Sequence, residues 1–293
     1  MSAYVDLHIH SSYSSDGDCT PEELVEMARE SGFAAISVAD HDTVAAYPEA
    51  VDVAAGSGVE VVPSMEVTTL FDSREFHLLL PFVDWESPVI AGIAERVTQA
   101  RLVEARERVA KLRENGLDIS WEEVEAASKS APALGVTIAQ ILLEKPESKD
   151  DPVLKKYFDE EERPWAAYHF YRDYFLEGKP AFVPKRHIPL LEVLDMVPEA
   201  GAVPVLAHPG AYFQDSTRDD LVRLKERGLA GLEVYTSYHK PEQTAFYRRI
   251  AEELDLVPTA GSDFHGRIKP HVHFGIVRDG GPWMVEEIRK RRR

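Results

Sequence analysis

Two periodicities of apolar and polar positions take turns along this chain. Residues 5–10 alternate one by one and predict a short strand. Thr20-Pro21-Glu22-Glu23 then opens a helix, with Thr20 as N-cap, Pro21 at the first helical position and Glu23 completing a capping box. Leu24, Met27 and Ala28 follow at helical spacing, and Gly32 ends the run. Residues 34–39 read as a buried strand, 43–55 as a helix, 59–67 as a strand and 75–82 as another. Strands and helices alternating at this spacing predict βαβ units and a parallel sheet.

The alternation stops between residues 88 and 178. Residues 89–115 predict one long amphipathic helix closed by Gly116. Ser120-Trp121-Glu122-Glu123 starts another helix with a capping pattern. Residues 145–164 are highly charged and carry Pro146, Pro152 and Pro164, the mark of a solvated connection or a lid. Residues 165–176 predict an aromatic-rich helix ending at Gly178. After Pro180 the rhythm returns, with helices at 190–199, 217–227 and 241–254 and strands at 203–207, 229–235 and 256–260. The expectation is an α/β protein in two segments, 1–87 and 179–293, interrupted by a helical insertion at 88–178.

Composition alters this picture little. The 293 residues suffice for a sizeable core, and 44% hydrophobic with 29% charged residues is ordinary for a soluble protein. No run of about eighteen apolar residues occurs, so no membrane span is expected. Met1-Ser2-Ala3-Tyr4-Val5-Asp6 lacks the basic-then-apolar pattern of a secretory signal. Cys19 is the single cysteine, so no internal disulfide forms; a cytoplasmic location is expected. Charge says more. The 33 Lys and Arg against 51 Asp and Glu leave a net −18, which repels long duplex nucleic acid. Most of that excess reads as solubility, and part of it as metal ligands. The basic end, Arg289 to Arg293, reads as a solvated helix terminus, with nucleic-acid contact the alternative.

Candidate chemistry starts at Asp6-Leu7-His8-Ile9-His10. Residues two apart on a strand face the same way, so His8 and His10 form a chelating pair for zinc, manganese or iron. Asp6 shares that face and is expected to orient a histidine from behind. One such pair in isolation is commonly structural. The other candidates change its weight. Residues 36–39 run into Asp40-His41-Asp42, 61–65 into Glu66, 203–207 into His208, and 257–262 into Asp263-Phe264-His265. Each places a metal-type side chain after an apolar strand, the rim where βα barrels build active sites. Asp16 in its loop and His77 inside an apolar strand are weaker. Taken alone, they read as a turn residue and a hydrogen-bonded core histidine.

At these positions the sequence resembles the PHP (polymerase and histidinol phosphatase) domain superfamily. His8-Ile9-His10, Ser15-Asp16-Gly17, Ala39-Asp40-His41-Asp42, Glu66, Ala207-His208-Pro209-Gly210 and Gly261-Ser262-Asp263-Phe264-His265-Gly266 stand where that family's motifs stand. The resemblance implies a distorted (β/α)7 barrel. It also implies two or three divalent metal ions (Mn, Fe or Zn) on His8, His10, Asp16, His41, Glu66, His77, His208, Asp263 and His265. The helical insertion, Pro180-Ala181-Phe182-Val183-Pro184 and Gly231-Leu232-Glu233-Val234-Tyr235 are similar to a stand-alone branch. That branch comprises nucleoside 3′,5′-bisphosphate phosphatases and 5′-to-3′ oligoribonucleotide exonucleases. The likeness breaks at Gly135-Val136-Thr137-Ile138-Ala139, where such proteins carry Gly-Arg-Pro-His or similar ahead of Ile-Ala. An Arg and a His able to hold a second phosphate are missing there, which leaves the metal chemistry intact but weakens the case for a bisphosphate.

The expected activity is metal-dependent hydrolysis of small phosphate monoesters by a metal-activated hydroxide, with nucleotides, nucleoside 3′,5′-bisphosphates or short oligoribonucleotides as the substrates the resemblance implies. Asp40 and His208 are the candidates for proton handling, with Asp42 beside them. Lys185, Arg186 and His239 are the candidates for gripping substrate, with Arg101, Arg106 and Arg108 on the insertion helix also available. For any one of these arginines a solvated helix charge is the simpler account. Histidinol phosphatase is the alternative within phosphoesterases. Metal-dependent C–N hydrolysis and a non-catalytic domain are the alternatives outside them. No lysine ends a core strand, and no ligand position is empty, which counts against both.

Overall fold

The computed structural model describes residues 4–128, 132–161 and 163–292. It divides into two compact units, Met1–Val97 with His187–Arg293, and Thr98–Arg186. Among the described residues, no helix is long and apolar enough to cross a membrane.

Among the described residues, the first unit carries nine strands in two sheets. The smaller is wholly parallel, in the order β1 (Tyr4–Ile9), β2 (Phe33–Val38), β3 (Glu60–Val61). The larger contains β4 (Glu66–Phe71), β5 (Arg74–Leu79), β6 (Ile188–Pro189), β7 (Val205–Leu206), β8 (Gly231–Thr236) and β9 (Val257–Gly261), in the order β6-β4-β5-β7-β8-β9. Only β5 runs against its neighbours; the other pairings in this sheet are parallel. Helices α1 (Pro21–Glu30) and α2 (Tyr47–Ala54) follow β1 and β2, and α1 has the capping box on Thr20 and Glu23 that its sequence requires. The long helix α3 (Pro88–Glu114) leaves the first unit. In that unit, α7 (Leu190–Met196), α8 (Arg218–Glu226), α9 (Pro241–Glu253) and α10 (Pro282–Lys290) complete the βα pattern. Strand residues such as Val67, Phe76, Leu78 and Leu232 are buried against Ile90, Leu194, Leu221 and Ile250 of the helices.

The second unit is helical, with α4 (Trp121–Ala127), α5 (Gly135–Glu144) and α6 (Ala166–Tyr174) packed on the rest of α3. Its core includes Leu112, Ile138, Leu142, Phe170 and Phe175. The segment expected to be a solvated connection also contributes. Leu154 and Tyr157 are buried in this core, and the Tyr157 hydroxyl donates to Asp173 (2.7 Å).

Several elements differ from the sequence reading. The single strand expected at 59–67 is two strands, because the Pro63 nitrogen has no proton for a ladder. The chain instead turns between partners: Val62 N–H bonds Ile36, while Pro63 and Met65 carbonyls accept from Phe82 and Leu80. Glu66 therefore opens β4 rather than ending β3. β4 and β5 form a hairpin across Asp72 and Ser73, both at positive φ (49° and 65°), as a two-residue primed turn needs. The helix expected from residue 43 begins at Tyr47. The strand β6 starts at Ile188, just after Lys185 and Arg186.

Candidate metal centre

Backbone hydrogen bonds at the strand ends bring distant segments to one place. Asp263 N–H donates to His8 C=O and His10 N–H to Phe264 C=O, each at 2.8 Å. Ala39 N–H donates to Ile9 C=O (2.8 Å), which sets Asp40 and His41 beside β1. Glu66 N–H donates to Asp40 C=O and Asp42 N–H to Glu66 C=O, which fixes Glu66 across from them. Ala207 N–H donates to His77 C=O (3.0 Å), which puts His208 beside His77. His77 lies mid-strand, yet it reaches the same rim because β5 is the reversed strand.

The side chains then converge on Glu66. Its Oε1 lies 2.8 Å from His77 Nδ1 and 3.0 Å from His208 Nε2. Its Oε2 lies 3.2 Å from both His8 Nε2 and His10 Nε2, and 3.1 Å from His41 Nδ1. Asp263 Oδ1 is 3.3 Å from His8 Nε2, 3.1 Å from His10 Nε2 and 3.5 Å from His265 Nδ1. Asp16 Oδ2 closes the far side, 3.6 Å from His41 Nε2 and 3.4 Å from His265 Nε2. Three overlapping groups emerge: His10, Asp16, His41 and His265; His8, His10, Glu66 and Asp263; and His41, Glu66 and His77. All nine residues expected from the sequence are thus together. His208 stands outside the three groups but touches Glu66.

This donor set fits divalent cations. Four ligands about 2.0–2.2 Å from one ion stand roughly 3.3–3.6 Å apart in a tetrahedron. The spacings among His8, His10, Glu66 and Asp263 are 3.1–3.3 Å. Glu66 Oε2 and His265 Nε2 are buried and make no hydrogen bond among the described residues, although charged or polar atoms crowd them. Buried donor atoms crowded together without hydrogen-bond partners are the arrangement that a bound cation would satisfy. The electrostatics agree. Burial pushes the Glu66 and Asp263 carboxyls up, but the surrounding imidazoles, with Lys269 beside Asp263, hold both well below the usual carboxylate range. Asp16 is likewise held low against burial by His265 and His41. Burial pushes His10 and His77 down, yet the carboxylates prevail and raise both to about 9.

A second layer holds the cluster in shape. Glu233, fully buried on β8, accepts from His8 Nδ1 (3.0 Å) and from the His208 backbone N–H (2.7 Å). In the neutral ring this places the proton on Nδ1 and turns Nε2 toward Glu66 and Asp263. Asp6, expected to orient a histidine ring, instead accepts from the backbone N–H groups of His8 (3.3 Å) and Ser262 (2.9 Å). Glu233 does what Asp6 was expected to do. A lone carboxylate between apolar Leu232 and Val234 on a buried strand was the available signal. Asp40 accepts from Ser11 N–H (2.6 Å) and Oγ–H (2.7 Å), and burial raises it to about 6 against the pull of His10. Gly261 has a packing reason: a Cβ there would stand 2.1 Å from Glu233 Oε1 and 2.4 Å from His8 Cβ. Asp42, His208 and Asp263 sit at positive φ (56°, 23° and 58°), strain of the kind concentrated at functional sites.

The expected substrate contacts fare unevenly. Both ring nitrogens of His239 are engaged, Nδ1 donating to Val234 C=O (2.9 Å) and Nε2 accepting from Gly210 N–H (3.0 Å). Lys185 and Arg186 belong to the second unit, where Arg186 pairs with Glu107 (2.6 Å). Arg106 lies over the Trp121 ring, and the buried Arg108 pairs with Glu104 (2.7 Å). Two residues not singled out in the sequence adjoin the cluster. The Tyr238 hydroxyl donates to Asp263 Oδ2 (2.9 Å), and Lys269 Nζ bridges that same oxygen and the Tyr238 hydroxyl.

Comparison with known proteins points the same way. A 5′-3′ exoribonuclease of Haemophilus influenzae is 26% identical over 267 residues, 90% of this chain and 91% of that one. A phosphoribosyl 1,2-cyclic phosphate 1,2-diphosphodiesterase of Eggerthella lenta is 30% identical over 276 residues, 92% and 98% of the two chains. A crystal structure from Bifidobacterium adolescentis, provisionally named a metal-dependent phosphoesterase, superposes with a TM-score of 0.84 at 27% identity. That superposition covers 99% of this chain and 96% of the other. The PHP domain profile matches residues 6–175, which include His8, His10, Asp16, His41, Glu66 and His77, and the chain belongs to the PHP domain family.

Proposed function

We propose that His8, His10, Asp16, His41, Glu66, His77, His208, Asp263 and His265 hold two or three divalent cations, manganese, iron or zinc. The chain uses them as a metal-dependent phosphoesterase on small phosphorylated substrates. The observation that carries this reading is Glu66, one buried carboxylate within 3.2 Å of five imidazoles. A carboxylate with two histidine sets on its two oxygens is suited to bridging cations. When bound, the cations supply a hydroxide at neutral pH and neutralise phosphoryl charge. The rim-level bonds between β1 and β9 and between Asp40–Asp42 and Glu66 support a distorted (β/α)7 barrel as the frame.

The protein's own groups have distinct tasks in this reading. Glu233 fixes the ring of His8 and the backbone of His208. Asp40 and His208 handle protons; Asp40, raised to about 6, exchanges one near neutrality. Lys269, one-quarter exposed at its side chain, is the cation placed to meet a substrate oxygen. Nucleotides or short 5′-phosphorylated oligoribonucleotides are the favoured substrates, supported by the exoribonuclease relative. The absence of an Arg-Pro-His pattern before Ile138 favours substrates gripped at one phosphate over nucleoside 3′,5′-bisphosphates. The test is phosphate release with added manganese from such substrates, from histidinol phosphate and from simple monoesters. Release that disappears in His8→Ala and Asp263→Ala supports the reading, and no release from any member counts against it.

A further inference from the structure

The loop after His208 has a feature that cation binding does not use. Its backbone is pinned on both sides of Tyr212 and Phe213. Ala211 N–H donates to His208 C=O (2.9 Å), and Ser216 N–H to Pro209 C=O (2.7 Å). Gly210 N–H donates to His239, and Gln243 Nε2 donates to Gly210 C=O (3.0 Å). The Tyr247 hydroxyl spans Pro209 and Ser216, 3.0 Å from each carbonyl. Gln214, 1% exposed, accepts from His77 N–H (3.2 Å) and donates to Ala207 C=O (2.9 Å), which ties the loop to the cluster strands themselves.

At its tip this rigid loop carries two aromatic rings. Phe213 lies against the cluster, its ring 5.3 Å from His77 and 5.4 Å from His208, with Tyr238 at 6.2 Å. Tyr212 stands edge-to-face on Phe213 at 5.3 Å and is 63% exposed, the most exposed large hydrophobic side chain among the described residues. A tyrosine on a mobile tip means little. One presented by a loop that is hydrogen-bonded on both sides of it, one ring away from the cluster, is a preorganised apolar face with much of its ordering cost already met.

We propose that Tyr212, backed by Phe213, is a stacking platform for the nucleobase of the substrate, so that the enzyme selects base-bearing phosphoesters over sugar phosphates. This rests on the phosphoesterase reading above. Bases stack on aromatic faces regardless of sequence, which suits a site that must accept any terminal nucleotide.

The experiment measures binding of adenosine 5′-monophosphate and of ribose 5-phosphate to the manganese-loaded protein by calorimetry. Wild type, Tyr212→Ala and Tyr212→Phe are compared. The proposal expects wild type to hold the nucleotide at least about five-fold more tightly than the sugar phosphate. Tyr212→Ala erases that preference with ribose 5-phosphate unchanged, and Tyr212→Phe keeps it. Equal affinities in wild type, or equal weakening of both ligands by Tyr212→Ala, overturns the platform and leaves the phosphoesterase reading intact. Binding of neither ligand, together with no phosphate release, overturns both.

Discussion

Replacing Glu233 by glutamine tests whether the cluster is shaped from behind. The carboxylate is fully buried and serves two donors, His8 Nδ1–H at 3.0 Å and His208 N–H at 2.7 Å. Glutamine keeps the volume but offers one oxygen and one NH2 group. One donor keeps an acceptor; the other faces a donor. The loss is therefore about one hydrogen bond to a charged group, roughly 1.5–3 kcal/mol. If the lost bond is that to His8, its Nε2 no longer has a fixed aim; if that to His208, the positive-φ backbone loosens. Either way the loss falls on cation binding and corresponds to about 10- to 150-fold in affinity. Manganese titration by calorimetry measures it, with circular dichroism to verify that Glu233→Gln is folded. A folded variant that binds manganese within two-fold of wild type refutes the reasoning.

Further outcomes follow from the same geometry. Lys269→Met removes the cation shared by Asp263 and Tyr238, and initial rates should show KM raised about ten-fold with kcat little changed; an unchanged KM excludes Lys269 from substrate contact. His239→Ala strips partners from Gly210 N–H and Val234 C=O and should cost about 1–3 kcal/mol in urea unfolding, so an unaltered midpoint would show that loop to be held otherwise. In the metal-free protein His10 and His77 are raised from 6.5 to about 9, so their contribution to stability is full below about pH 6.5 and is lost as pH rises through about 9. Scanning calorimetry should show the metal-free Tm falling across that window while the manganese-induced rise in Tm grows, because cations need deprotonated imidazoles. A metal-free Tm that climbs with pH would contradict this.

Much of the candidate site was legible because its residues obey strand arithmetic. His8 and His10 share a face by the two-residue period. His41, His208, Asp263 and His265 follow apolar runs that end at one rim. Glu66 was found by the same cue but for a partly wrong reason, and His77 through the family resemblance rather than its own pattern. Glu66 begins a strand, because Pro63 breaks the ladder before it, and His77 reaches the rim because β5 runs backwards. Neither fact leaves a local trace in periodicity, since strand direction is set by which neighbour a strand pairs with. Glu233, Tyr238 and Lys269 were missed for a related reason. Their importance lies in contacts over 225, 25 and 6 residues of sequence, and only Glu233 leaves a signal, a charge in a buried strand. The buried Leu154 and Tyr157 show the opposite error, a charged, proline-rich stretch whose few apolar side chains still find a core.

The most direct measurement is cation stoichiometry. Wild type and Glu66→Ala would be stripped with chelator, dialysed against manganese and analysed for bound metal per chain. The account predicts two or three equivalents in wild type and at most one in Glu66→Ala, since all five imidazoles around that carboxylate lose their common partner. Less than one equivalent in wild type, or an unchanged count in a folded Glu66→Ala, would contradict the claim that this cluster is a metal centre.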